Sequence, residues 1–457
     1  MSTTSSDQRT SSCSASLQSS SFSVGRVVNH LDAYLMSVNG DSVIRLNDLF
    51  FANYELGHPK VSEIEGGIFL TFCYQMEMLA PLIAAKAKIV IASNSKNEFL
   101  TKKEPKPTPN VSIHMISRFI KNINATFHPK LYLLKFPSFL RVVVGSGNLL
   151  PDDWTDFGNI FYVRDYPLHP SGKQTKNPQK IQFLNYLRCY LEEVFQKEHS
   201  SILEQVGIDL LSYNMEDETA LLIGSVPGYS KIDDLCPHGI PLLTKQMREH
   251  HTKVPHLKDL RITFLTSSLG SLNLYFLLNI ARALVPEFPW TKKDLKGLSE
   301  KQKKEFLDIF HIVFPTQDYI NKATDNTDCL FFRRSAYEGF SFEKSVMSSY
   351  EGSGSIEGND TIVPHYKAII VTFSSDFAIR DDTIIYLGSH NLTKAAWGKP
   401  ANFDADYCVW NFELGVVFPN LKKSSEFKKE VIETLGVEFP PSRMADFEEP
   451  FFSDPWS

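Results

Sequence analysis

The sequence predicts an α/β protein built from two similar domains, and three observations carry that prediction. The stretch "FHPKLYLLKF" (127–136) recurs as "PHYKAIIVTF" (364–373), each placing a histidine and a lysine two residues apart at the start of an apolar run. Downstream, "RVVVGSGNLLPDDW" (141–154) matches "TIIYLGSHNLTKAAW" (383–397). Each is a strand-like run followed by Gly, Ser, any residue, Asn and Leu, with Trp154 and Trp397 six positions after Asn148 and Asn391. Around both repeats, strand-like and helix-like segments alternate, twice over.

Taken in order, residues 1–24 are Ser- and Thr-rich with few large apolar side chains. Such a segment cannot bury enough surface to offset the entropy of ordering, and it reads as a disordered tail. The first domain is expected over 25–210. Within it "FLTFCYQMEMLAPLIA" (69–84) reads as buried helix or strand, "AKIVIAS" as a strand, and "QKIQFLNYLRCYLEEVFQKEH" (179–199) as an amphipathic helix. A polar stretch near 204–218 marks the boundary. The second domain, 211–457, repeats the alternation, with "LRITFLTSSLGSL" leading from a strand into the helix "NLYFLLNIARAL" and a loop expected over 340–361.

Bulk properties exclude several classes. At 457 residues the chain is long enough for two or three domains. It shows neither an apolar run near the roughly twenty residues that cross a bilayer nor a signal-peptide pattern, so an intracellular protein without membrane association is expected. The net charge of −6 argues against a surface that is basic all over, so any nucleic-acid contact is local. The basic run at 292–306 carries interspersed acids and reads as a solvated helix face, with phosphate contact or a weak nuclear signal as the alternative. The acidic tail 446–455 has paired aromatics expected to dock on the body. Cysteines 13, 73, 189, 236, 329 and 408 lie at no metal or redox spacing and read as ordinary buried or free thiols of a reducing compartment. His250, His251 and His256, with Cys236 and His238 upstream, match no zinc pattern and read as a solvated loop.

Packing does not require His, Lys and Asn to recur in register, so the repeat points to chemistry. If the halves pack about a pseudo-twofold axis, His128, Lys130, Asn148, His365, Lys367 and Asn391 converge on one cleft. Lysine ammoniums and asparagine amides suit the oxygens of a phosphate, whose charge shifts in the transition state. Two imidazoles allow one to attack phosphorus while the other protonates the leaving oxygen. Neither half carries an acidic cluster for a metal, which points to phosphoryl transfer without metal or cofactor. A carboxylate behind one ring would orient it. Glu413, in "WNFELGVVF", is the candidate, although a glutamate there also reads as a strand-edge surface residue.

These paired HxK and Asn motifs resemble the phospholipase D superfamily, and specifically its tyrosyl-DNA phosphodiesterase branch. The general superfamily pattern has an aspartate five residues after each lysine; here Lys135 and Thr372 stand there. "LIGSVPG" (222–228), "TSSLGSL" (266–272), "NLTKAAWG" (391–398) and "FELGVVF" (412–418) resemble the same family, so the similarity runs from about residue 47 to the C-terminus.

The resemblance implies two phospholipase D-like α-β-α domains related by pseudo-twofold symmetry, with the active site at their interface. It also implies a monomeric nuclear DNA-repair enzyme that hydrolyses the bond between a DNA 3′ phosphate and the tyrosine of a topoisomerase I-derived peptide, on single-stranded or end-frayed DNA, and that processes other 3′ blocking groups. His128 is then the nucleophile and His365 the general acid and later base. Lys130, Lys367, Asn148 and Asn391 hold the phosphate, and Glu413 supports His128. Ser268, Ser271 and Thr393 fall where the family contacts the DNA backbone, and Phe72 where it has an aromatic near the strand. The sequence departs from the family in three places. Asn159, with a shorter reach, occupies the place of a glutamine that supports the second histidine. Asn124 replaces an aromatic four residues before the first. The chain stops at "SDPWS", where relatives commonly continue, whether as a truncated or a naturally shorter form. A lipid phosphodiesterase of the same superfamily and a noncatalytic DNA-end-binding module are the alternative readings.

Overall fold

The structure, a computed structural model of the chain, describes residues 28–30, 33–37, 46–50, 64–94, 109–120, 123–170, 173–250, 256–323, 326–339, 342–350, 355–356, 360–361, 363–401, 406–419, 425–435 and 437–453. The expected tail at 1–24, His251 and the end of "SDPWS" lie outside these residues.

Runs rich in Val, Ile and Leu form the central strands of two mixed sheets, since β-branched side chains suit a pleated surface buried on both faces. The first sheet runs Val28–His30, Ala33–Ser37, Ile160–Pro167, Phe139–Gly145, Leu131–Lys135, Gly66–Leu70, Lys88–Asn94 and Val111–Ile116. The main path of the second runs Leu221–Ser225, Asn411–Phe418, Ile384–Gly388, Ala368–Thr372, Arg261–Leu265, Phe310–Phe314 and Met347–Ser349. From Ile160–Pro167 in one and Asn411–Phe418 in the other, six strands follow in the same order and direction. The first three pairings are antiparallel and the last two parallel. The duplication seen in two motifs therefore extends through six strands of each sheet.

The two halves share one apolar core. The Tyr162 and Phe418 rings meet across it at 5.9 Å, and Phe127 and Phe412 at 5.2 Å. The helix Gln182–Phe195 buries the apolar stripe read from its 3.6-residue period. Its Phe183 packs on Tyr162 and Tyr166 of the first sheet, while Tyr186 donates its hydroxyl to the Gly224 carbonyl (3.1 Å) of the second. The helix Leu274–Leu284 starts where the Asn273 side chain accepts from the Phe276 N–H.

Several expectations need correction. The 69–84 stretch is neither one helix nor one strand. It leaves the strand Gly66–Leu70, turns, and ends in the short helix Ala80–Ala84, whose first turn tolerates Pro81. The 340–361 segment is not simply a loop, because Met347–Ser349 pairs with Ile312–Phe314 as a sheet strand. Cys189 and Cys236 are not free thiols: they form a disulfide, their Cα atoms 6.6 Å apart, because Cys189 on the helix Gln182–Phe195 lies against the separate segment that carries Cys236, 47 residues on. The basic run at 292–306 forms two short helices, the exposed Lys292–Leu295 and Glu300–Leu307, which buries Phe306 and Leu307 while its charged face stays in solvent, each begun by a capping box. Near the C-terminus Phe451 packs on the core, and Phe452 lies between the Phe332 ring and the Arg334 guanidinium, while Phe447 stays exposed. Among the described residues no helix is long and apolar enough to cross a membrane.

Candidate active site

Each HxK segment is anchored by the other half of the molecule. Thr126–Phe127 pairs in parallel with Asn411–Phe412, and the His128 N–H donates to the Phe412 carbonyl (3.0 Å). In the same way Val363–Pro364 pairs with Phe157–Gly158, and the His365 N–H donates to the Gly158 carbonyl (2.8 Å). The next residue on each supporting strand is thereby set behind the imidazole of the opposite half. Glu413 stands behind His128, and Asn159 stands behind His365.

Glu413 is buried, not on a strand-edge surface. Its Oε2 accepts from His128 Nδ1 (2.8 Å) and the Ser389 hydroxyl (2.6 Å), and its Oε1 accepts from Asn411 Nδ2 (3.1 Å). Asn159 reaches despite its short side chain, its Oδ1 lying 2.9 Å from His365 Nδ1. Acceptors at both Nδ1 atoms fix the tautomers: each Nδ1 carries hydrogen, which leaves Nε2 as the atom available for reaction.

The lysines fold back in matching fashion. Lys130 Nζ donates to the His128 carbonyl (2.8 Å) and Lys367 Nζ to the His365 carbonyl (2.6 Å), so each ammonium sits beside its ring. Both lysines are almost fully buried. Burial pushes Lys130 down to about 8. It holds Lys367 well below its ordinary value too, with repulsion from Lys130 adding to the effect. A bound phosphate dianion or diester would relieve that repulsion, which makes the pair a preorganised anion cradle.

Burial also lowers both histidines. His128 is held down mainly by desolvation, against the opposing pull of Glu413. Desolvation, then Lys367, takes His365 to about 3. Burial alone would push Glu413 up, but the His128 ring beside it keeps it below its ordinary range, so it is a carboxylate facing an imidazole.

The asparagines come from the two Gly-Ser-x-Asn turns. Asn391 Oδ1 accepts from Thr266 Oγ1 (3.1 Å), Ser267 Oγ (3.3 Å) and the Ser268 N–H (3.0 Å), which leaves its NH₂ to donate elsewhere. Asn148 Nδ2 donates to Asp153 Oδ2 (3.2 Å). The turns need glycine: a Cβ at Gly145 would run into the Phe161 ring, and one at Gly388 into the Gly415 backbone and the Tyr386 hydroxyl.

The residues expected to touch DNA fall into two groups. Ser268 and Ser271 lie on a segment bridged to Leu392 beside Thr393, with Gly270 against the Thr393 side chain. Thr393 caps the helix Lys394–Trp397. Phe72 stands at His128, ring centroids 5.5 Å apart. Asn124 pairs across a two-residue hairpin with Phe119, which is exposed. Among the described residues no group of three His, Cys, Asp or Glu could hold a metal ion.

Three members of this arrangement carried no role in the sequence reading. Ser389 and Ser146 are the serines of the repeated turns, and each donates to the residue behind an imidazole. Asp153 lies at the His365 ring, its Oδ1 3.1 Å from Nδ1. No sequence signal singles it out, since the repeat aligns Asp152 and Asp153 alike with alanines, Ala395 and Ala396.

The family model described as tyrosyl-DNA phosphodiesterase matches residues 36–449. The chain is 25% identical over 303 residues to "Tyrosyl-DNA phosphodiesterase 1" of Arabidopsis thaliana, covering 64% of this chain and 46% of that protein. It is 24% identical over 310 residues to the Drosophila melanogaster protein of the same name, covering 64% and 50%. The chain thus spans about half the length of these relatives. Among solved structures, yeast tyrosyl-DNA phosphodiesterase aligns with TM-score 0.61 at 16% identity over 85% of this chain and 90% of that one. A mutant of the yeast enzyme aligns at 0.67 and 14% over 92% and 99%. The fold is therefore that of the yeast enzyme, and with a family match running through both halves of the duplicated site, the chain belongs to the tyrosyl-DNA phosphodiesterase family.

Proposed function

We propose that the protein hydrolyses the 3′-phosphotyrosyl bond joining DNA to a topoisomerase I-derived peptide, through a phosphohistidine intermediate. The observation that carries this reading is the reciprocal support of two imidazoles. Each has Nδ1 held by an acceptor from the opposite half, and each stands beside a lysine buried without a carboxylate in salt-bridge contact among the described residues.

In the first step the anionic phosphate in the cleft raises His365 so that its Nε2 carries a proton; His128 Nε2 attacks phosphorus, the P–O bond to tyrosine breaks, and His365 Nε2 gives that proton to the phenolate. In the second, His365 takes a proton from water, the water oxygen bonds to phosphorus, and the electron pair of the P–N bond returns to His128. Lys130, Lys367, Asn148 and Asn391 hold the nonbridging oxygens. Ser268, Ser271 and Thr393 contact the backbone of a single-stranded or frayed end without reading bases, and Phe72 lies against the strand. Other groups on a 3′ phosphate are substrates on the same logic, and the protein acts as a monomer in the nucleus.

The test is turnover of a 5′-labelled single strand carrying 3′-phosphotyrosine, in excess EDTA. Release of a 3′-phosphate product supports the reading. Absence of product with intact protein, or activity that only added metal restores, overturns it.

A further inference from the structure

The two orienting positions are structural equivalents with different chemistry. Ser389 Oγ donates to Glu413 (2.6 Å) and accepts from the Leu414 N–H (3.0 Å). Ser146 Oγ donates to Asn159 (2.8 Å) and accepts from the Ile160 N–H (3.0 Å). Asn159 is thus the counterpart of Glu413. An amide oxygen accepts the Nδ1 proton as a carboxylate does, but it brings no charge to balance an imidazolium.

The missing charge comes from another place in the chain. Asp153, in the short helix Asp152–Thr155, is only 2% exposed. Its Oδ1 lies 3.1 Å from His365 Nδ1, and its Oδ2 accepts from Asn148 Nδ2 (3.2 Å). Asn159 Nδ2 donates to its main-chain carbonyl (2.8 Å) and to Oδ1 (3.3 Å). The groups acting on the His365 ring are Asp153, Lys367 and Lys130, with the Phe157 ring packed against it. A carboxylate so deeply buried is costly unless it is paired. Its pairing to three residues of the site, His365, Asn148 and Asn159, and not to a surface cation, ties its presence to their work.

We propose that Asp153 is a positioning residue, holding His365 in its Nδ1–H tautomer, balancing the imidazolium that forms when His365 takes the proton of water, and turning the Asn148 amide so that an N–H faces the phosphate. The inference rests on the roles given above to His365 and Asn148. Among the described residues Asn148 Oδ1 has no partner. Were the amide reversed, that oxygen would face the Asp153 carboxylate, and repulsion between two acceptors would reject it. In the second chemical step, as the P–N bond breaks and water's proton arrives at Nε2, the positive charge spreads to Nδ1, 3.1 Å from Asp153.

The test uses Asp153→Asn with the 3′-phosphotyrosyl single strand. The first step should stay within several-fold of wild type, because a phenolate of pKa about 10 departs without much help. Resolution of the adduct should slow by about ten- to a hundredfold as the base loses its counter-charge, so an acid-labile protein–DNA band accumulates. The acid limb of the resolution rate should move to lower pH, since imidazolium is no longer stabilised. The double variant Asp153→Asn/Asn159→Asp returns a carboxylate to the site 2.9 Å from Nδ1 and should recover most of the lost resolution rate. A structural role predicts instead an unmoved pH limb and a double variant worse than the single. If Asp153→Asn does not fold, as judged by melting, Asn159→Asp alone decides: a second carboxylate at Nδ1 should raise the acid limb, and an unmoved limb overturns the proposal. Wild-type protein inactive on this substrate would sink the functional reading itself. Active wild type with an indifferent Asp153→Asn sinks only this inference.

Discussion

Replacing Glu413 by Gln separates charge from shape at the nucleophile. The carboxylate is buried and receives three donors, with His128 Nδ1 and Ser389 Oγ sharing Oε2 and Asn411 Nδ2 on Oε1. A glutamine keeps its carbonyl toward the first two and turns its NH₂ toward Asn411, whose own amide rotates to accept it. The fold and the tautomer of His128 therefore survive, and only the negative charge is lost. A hydrogen bond to a charged group contributes about 1.5–3 kcal/mol against about 0.5–1.5 for a neutral one. The loss is thus about 1–1.5 kcal/mol as charge develops on the attacking ring, a slowing of roughly five- to fifteenfold. Glu413→Ala should be worse, about a hundredfold, because it strands the His128 and Ser389 donors in a dry site. The assay is rapid-quench measurement of adduct formation in a His365→Asn background, where resolution does not obscure the first step. An unchanged rate of adduct formation in Glu413→Gln, with the melting temperature preserved, would refute the idea that Glu413 acts on the nucleophile.

Acid should weaken the fold. His238 and His390 are lowered to about 4 and His365 to about 3, in each case chiefly by burial, whereas the unfolded chain titrates near 6.5. Below about pH 6.5 the unfolded state binds protons that the folded state refuses, so stability falls with pH until the folded values are reached. At pH 5.5 each such ring costs about 1.4 kcal/mol. Melting temperatures that do not drop between pH 7.5 and 5.5 would contradict these buried neutral rings. Binding of single strands should weaken with salt, by about 0.7 in log K per log salt for each phosphate neutralised, and should be nearly blind to sequence. Fluorescence anisotropy across oligonucleotides of equal length checks both, and strong discrimination among them would count against a cradle of Lys, Ser, Thr and Asn.

How much was legible follows from where each signal resides. The His, Lys and Asn of both motifs stood out because a duplication repeats them in register within contiguous strands. The matched sheets followed from alternating segments. The supports behind the rings were harder to place. Glu413 sits in an apolar run that looks like a strand whose one charge faces water. Its burial comes from its place in an interior strand, opposite Ser225, and from a two-residue parallel pairing that joins residues 285 apart in sequence, and no local pattern encodes these contacts. Asn159 looked too short, and the equivalent pairing of Phe157–Gly158 with Val363–Pro364 is what brings it within reach. Asp153 reads in the sequence as an ordinary first-turn acid of a helix, and only its packing against His365 separates it from Asp152. The Cys189–Cys236 disulfide and the strand Met347–Ser349 were hidden for a related reason, since both depend on partners distant in the chain.

The central claim is that two nearly identical motifs divide the chemistry, His128 bonding to phosphorus and His365 moving protons. A phenolate leaves tolerably without a proton donor, whereas water needs a base to break the phosphohistidine bond. The direct test is denaturing electrophoresis of His128→Asn and His365→Asn with 5′-labelled 3′-phosphotyrosyl single strand, looking for an acid-labile protein–DNA band. His365→Asn should form the adduct and resolve it slowly, and His128→Asn should form none. An adduct with His128→Asn and none with His365→Asn would reverse the roles, and no adduct from either variant or from wild type would contradict covalent catalysis altogether.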